Sequence, residues 1–152
     1  MAKFEMVLPD DVMKDMKKLY KNSEEILGGM TKAGAKVVLS NVKSNVPSSW
    51  KNSNIMNNIG LTRTYKTPTD GGINTKVIIS GYFKNSNGVM TPAPLVANVF
   101  EYGSTKFSKQ PFFRKSFRKN EIEKAMLQAQ KELSGGLLDE WVNWNYIYKF
   151  SS

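Results

Sequence analysis

The chain has 152 residues, 40% of them hydrophobic and 23% charged, with a net charge of +9 and neither cysteine nor histidine. That composition suits one soluble domain with a real core, and it excludes disulfides, thiolate or imidazole catalysis and zinc sites built from Cys or His. No apolar run approaches a membrane span, and MAKFEMVLPDD has no apolar signal core, so neither a membrane partner nor an export signal is expected.

PDDVMKDMKKLY predicts a first helix. Asp10 can cap it, Asp11 suits the positive end of the helix dipole, and Val12, Met13, Met16, Leu19 and Tyr20 recur at three- and four-residue steps. Asn22-Ser23-Glu24-Glu25 reads as a restart, with Asn22 and Glu25 spaced as in a capping box. The second helix places Leu27, Met30, Gly34, Val38 and Val42 on one stripe, widened by Ile26, Ala33 and Val37, and leaves Lys32, Lys36 and Lys43 to solvent. Gly28-Gly29 inside it costs about 1 kcal/mol per glycine against alanine, which suggests a kink or a close backbone approach. The helix should end at Val46, because Pro47 disfavours the α conformation before it.

Residues 47–58 are polar and turn-rich, and read as a long, mobile loop with Trp50 as a lone anchor. Residues 59–66 and 73–83, flanking an Asp-Gly-Gly turn, predict two antiparallel strands. KNSNG (84–88) is a second turn. The two prolines of VMTPAPLVANVFEYG exclude a central strand, and Leu95, Val96, Val99 and Phe100 favour a short helix ending at Gly103. A last helix is expected from Pro111, with Phe113, Phe117, Ile122, Ala125, Met126, Ala129 and Leu133 on its buried stripe and a stop at Ser134-Gly135-Gly136. The fold class is thus α+β: a long helix in the N-terminal half and a C-terminal helix packed on a small antiparallel sheet. Residues 1–136 form one domain.

Beyond it, residues 137–152 make an aromatic arm. Val142, Trp144, Tyr146, Tyr148 and Phe150 alternate with Asn143, Asn145, Ile147 and Lys149, as in a strand with one apolar face. The strand either completes the chain's own sheet or lies on a neighbouring subunit. With Trp141, the residues Trp144, Tyr146 and Tyr148 are interface candidates.

The 13 acids fall mostly at helix starts or opposite lysines, and Gly71-Gly72 and Gly135-Gly136 lack the lysine of a phosphate loop. No catalytic, cofactor or metal residues are therefore assigned, and no enzyme is expected. Nineteen of the 22 basic residues are lysine, against Arg63, Arg114 and Arg118. Lysine is a hydrated point charge, so the charge fits a general positive field better than base-specific recognition. A nonspecific nucleic-acid-binding module is the alternative reading.

The segment FEYGSTKFSKQPFFRKSF (100–117) raises the sharpest question. Tyr102 and Phe107 stand among lysines in a loop that glycine and proline bound, which favours a partner surface. SNVP (44–47), VFEYGST (99–105) and QPFFRKSF (110–117), in that order across residues 23–133, resemble the tail-component family of tailed bacteriophages, the head–tail joining and tail-completion proteins of long-tailed phages and prophages. The chain departs from that pattern after Pro47, where SSWKNSNIM replaces a TG-x-L turn. The resemblance implies a non-enzymatic virion neck protein, made in the host cytoplasm. It implies rings of about six or twelve copies that surround the DNA channel between portal and tail tube. Its partners would be further copies, neighbouring neck, portal-side and tail-terminator or tail-tube proteins, and DNA through nonspecific contact. An acid–arginine pair, Glu101 with Arg114, would hold the loop across the turn or across a subunit boundary. Tyr102, Gly103, Lys106, Phe107 and Lys109 would meet the neighbour.

Overall fold

The computed structural model describes residues 10–51 and 54–135. The aromatic segment and its candidates Trp141, Trp144, Tyr146 and Tyr148 lie outside the described residues. Two helices open the chain, α1 (Asp10–Lys21) and α2 (Ser23–Asn45). The expected capping box is absent: Asn22 makes no side-chain cap, and its backbone N–H continues the helical pattern to the Lys18 carbonyl at 3.1 Å. The α2 stripe keeps Gly34, Val38 and Val42 of the expected one, with Ile26 from its margin, and differs at Leu27 and Ala35. Ile26, Gly34, Ala35, Val38 and Val42 are buried, while Leu27 is exposed. Val46 terminates the helix as Pro47 requires.

Residues 47–51 and 54–58 are more ordered than a free loop. A one-turn helix α3 (Ser48–Lys51) and a 3-10 turn (Asn54–Asn58) carry Trp50 and Ile55 into the core. Trp50 is an anchor as expected, its ring 4.6 Å from Phe100 and 5.5 Å from Phe112 between centroids, both edge-on.

The two expected strands are broken into short ladders. β1 (Ile59–Leu61) pairs with β4 (Val77–Ile79), and β2 (Tyr65–Lys66) with β3 (Ile73–Asn74), both antiparallel. Leu61 faces Val77 while Tyr65 faces Asn74, so three residues on one side oppose two on the other. That extra residue separates the ladders as a bulge does. Gly81, at φ +80, ends β4, so 73–83 is not one strand. The chain then forms a ribbon of β5 (Tyr82–Lys84) and β6 (Met90–Pro92), closed by Asn85, whose side-chain oxygen accepts from the N–H groups of Asn87 and Val89.

Helix α4 (Ala93–Tyr102) follows directly, and α5 (Lys119–Ser134) closes the described chain. The core joins Val38, Val42 and Val46 of α2 to Trp50, Ile55, Ile59, Ala93, Ala97 and Phe112. Helices α2 and α5 pack at close range. A Cβ on Gly34 would sit 3.0 Å from Met126 and one on Gly29 would overlap Leu133, so these two glycines permit a close approach, whereas one on Gly28 would make only ordinary contact with Thr64 at 3.5 Å. The architecture is α+β.

Candidate subunit-docking site

The site starts from one carboxylate. Glu101 sits in the last turn of α4 and is only 5% exposed. Its Oε2 accepts the backbone N–H groups of Phe112 (2.9 Å) and Phe113 (3.0 Å). Its Oε1 accepts the Arg114 backbone N–H (3.2 Å) and Nε–H (2.9 Å). Three successive N–H groups converging on an anion form the cradle otherwise found at a helix N-terminus. Burial alone would raise the Glu101 pKa, but hydrogen bonds from Phe113, Arg114 and Phe112 outweigh it and hold the carboxyl below its ordinary value. The Glu101–Arg114 pair therefore forms within one chain, across the turn.

The expected helix start is corrected by the structure. Pro111 opens no α-helix: residues 114–116 make a single 3-10 turn and α5 begins at Lys119. The N–H groups that a helix would leave free at its first turn are taken by Glu101, and the segment closes on itself through Ser116. Ser116 is fully buried; its Oγ donates to the Phe112 carbonyl (2.6 Å) and accepts from Asn45 Nδ2 (3.0 Å). Asn41 Nδ2 reaches the Ser116 carbonyl (3.3 Å) and Glu121 Oε2 (2.9 Å), so α2 grips both the turn and the start of α5. The side-chain assignment shifts accordingly. Phe112, at 1% exposure, is the buried ring, and Phe117 and Leu133 of the expected stripe are exposed. Ile122, Ala125, Met126 and Ala129 are half-buried.

Between the two anchors runs the loop 103–110. Gly103 has φ +83 and ψ 177, a conformation open essentially to glycine alone, and a Cβ there would lie 3.1 Å from Lys109 N and Phe107 O. The Ser104 N–H donates to the Phe107 carbonyl (2.9 Å), Ser104 Oγ accepts from the N–H groups of Lys106 and Phe107, and the Gln110 N–H donates to the Phe100 carbonyl (2.7 Å). A loop so fixed holds its side chains outward. Tyr102, Lys106, Phe107 and Lys109 are all exposed, Phe107 by 64%. The Arg114 guanidinium stacks 5.0 Å from the Tyr102 ring. Phe107 also borders an open groove of about 570 Å³ whose apolar wall comes from Phe83, Leu95, Val96, Val99 and Phe100.

The structure thus brings Glu101, Tyr102, Gly103, Lys106, Phe107, Lys109 and Arg114 onto one rigid element. Sequence reasoning missed Ser116, Asn41 and Asn45, whose hydrogen bonds run 71 to 80 residues apart and leave no local pattern. It also missed exposed Leu95 and half-buried Phe83 beside the groove; the helical spacing around Leu95 was the available signal.

Residues 10–85, half of the chain, match the family model described as "Bacteriophage HK97-gp10, putative tail-component". The chain belongs to this family. The matched span runs from α1 to the β5–β6 turn and stops before α4, so the Glu101–Arg114 loop lies downstream of it. No curated protein and no solved structure matches the chain. Membership of a phage tail-component family makes this a structural protein of the virion that works among other virion proteins. No helix among its described residues is long and apolar enough to cross a membrane.

Proposed function

We propose that this tail component acts without catalysis as a ring-forming head–tail joining or tail-completion protein, linking the portal side of the particle to the tail around the DNA channel. The observation that carries the reading is the pairing of a rigidly held loop with outward aromatic side chains. Tyr102 and Phe107 are 65% and 64% exposed although their loop is fixed by a buried carboxylate and a left-handed glycine. A side chain already held in one place loses little conformational freedom on binding, which favours recognition by a neighbouring subunit. Aromatic rings flanked by lysines suit an interface with an apolar centre and a charged rim. The surplus positive charge supports nonspecific contact with the DNA that passes through the ring.

Phe107→Ala tests this. The variant should melt at the wild-type temperature, because Phe107 is exposed, yet complementation of a deletion phage should yield untailed heads and free tails. Normal tailed-particle yield would refute the docking role. So would an early-melting variant that still assembles.

A further inference from the structure

Helix α1 is amphipathic and has no buried residue. Stepping 100° per residue, Val12, Met13, Met16, Leu19 and Tyr20 occupy one side, and Lys14, Lys17, Lys18 and Lys21 the other. On that apolar side Met13 and Met16 are 41% and 43% exposed and Tyr20 is 85% exposed. Val12 and Leu19 on this side are half-buried, and the described residues leave Met13, Met16 and Tyr20 open. An apolar helix face without a partner calls for an occupant.

The fold puts one within reach. Helix α5 ends against the root of α1: Leu133, Ser134 and Gly135 share an open cavity of about 140 Å³ with Lys18, Leu19, Asn22 and Ile26. Gly135, in the left-handed conformation at φ 63, ends α5, so the chain leaves the helix there beside Leu19. The next residues are GLLDEWVNWNYIYKF. Met16 lies three residues from Leu19, about 5 Å along the helix axis. Trp141 lies six residues beyond Gly135, a reach of about 20 Å when extended. Leu137, Leu138, Trp141 and Trp144 can therefore reach the whole apolar face of α1.

We infer that the segment 137–150 of the same chain docks on the apolar face of α1 through Leu137, Leu138, Trp141 and Trp144. Two chemistries favour it. Thioethers set against indole rings make favourable sulfur–aromatic contacts, and α1 offers Met13 and Met16 to Trp141 and Trp144. Lys18 lines the cavity in which α5 ends, and Asp139 and Glu140 follow Gly135 by four and five residues, so opposite charges are available where the chain leaves α5. Attachment through a short glycine joint gives the segment a local concentration on the order of millimolar at α1, which favours its own chain over a second copy in dilute solution. This docking does not depend on ring formation and leaves the Phe107 loop free at the other end of α2.

The absence of cysteine makes the test direct. The double variant Met13→Cys/Asn143→Cys should form, on mild oxidation, a disulfide that alters monomer mobility on a non-reducing gel and disappears with reductant. Lys14→Cys/Asn143→Cys, on the opposite side of α1, should not. A ladder of disulfide-linked dimers would overturn docking within one chain and assign the face to a second copy; equal trapping by both variants, or by neither, would overturn docking altogether. As an independent readout, fluorotryptophan labelling gives three fluorine resonances from Trp50, Trp141 and Trp144. Met13→Ser/Met16→Ser should move two of them toward the free-residue position and leave the Trp50 signal, which reports folding, in place. Three unmoved resonances would refute the inference.

Discussion

Glu101 and Glu24 each hold a basic side chain, but they do different work. Glu24 meets Lys66 in solvent, the two side chains 68% and 58% exposed, and joins α2 to β2 by one contact. Glu101 is almost wholly buried, and its guanidinium partner is the lesser part of its bonding: three backbone N–H groups converge on it as well. The comparison teaches that an ion pair shapes a chain when its carboxylate also organises the backbone. An exposed pair is screened by water and salt, whereas a buried acceptor that is removed leaves several donors unsatisfied.

The largest break in that comparison is Glu101→Ala. Unsatisfying three backbone donors should destabilise the fold by about 2–4 kcal/mol, with Glu101→Gln recovering roughly half, both measured by urea denaturation. Gly103→Ala should cost about 1–3 kcal/mol, since its backbone angles are almost confined to glycine and the new methyl group meets the Lys109 and Phe107 backbone.

Acid should separate the two pairs next. The folded-state pKa of Glu101 is lowered, so its contribution is complete above the ordinary value of 4.5 and is lost as pH falls through the lowered folded value. Thermal melts from pH 7 downward should therefore show the gap between wild type and Glu101→Gln constant to about pH 5 and narrowing below 4.5. A gap that widens in acid would mean that the carboxylate is not the stabilising form. Arg114→Ala should cost only about 0.5–1 kcal/mol, because the guanidinium is 65% exposed and the Arg114 backbone N–H keeps its bond to Glu101. Combined with Glu101→Ala it should add nothing measurable. The smallest effect is reserved for Lys66→Ala, which should melt as wild type does.

Much of the fold was legible because it is written locally. Three- and four-residue apolar steps marked α1, α2 and α4, Pro47 marked the end of α2, and Gly103 and Gly135 marked helix stops. What failed was whatever depended on a distant partner. Pro111 is a sound local signal for a helix start, but the turn that follows is short and is fixed by Ser116, which bonds to the Phe112 carbonyl and to distant Asn45. The segment 47–58 looks like an open loop until the α2 valines and Phe112 enclose Trp50 and Ile55. For the candidate site, the Glu101–Arg114 pair and the outward Tyr102 and Phe107 were readable. The depth of Glu101 and the hold of Asn41, Asn45 and Ser116 were not, because polar residues carry no periodicity that distinguishes buried from exposed.

Helix α2 runs unbroken for 23 residues, about 34 Å. Asn41 and Asn45 near its C-terminal end bind the turn that carries the Glu101 loop, and Ile26 near its N-terminal end meets the junction of α1 with α5. It is a ruler. The loop and the apolar face of α1 stand a fixed distance apart along one continuous helix, so a neighbour that engages both must present its own contacts at that spacing.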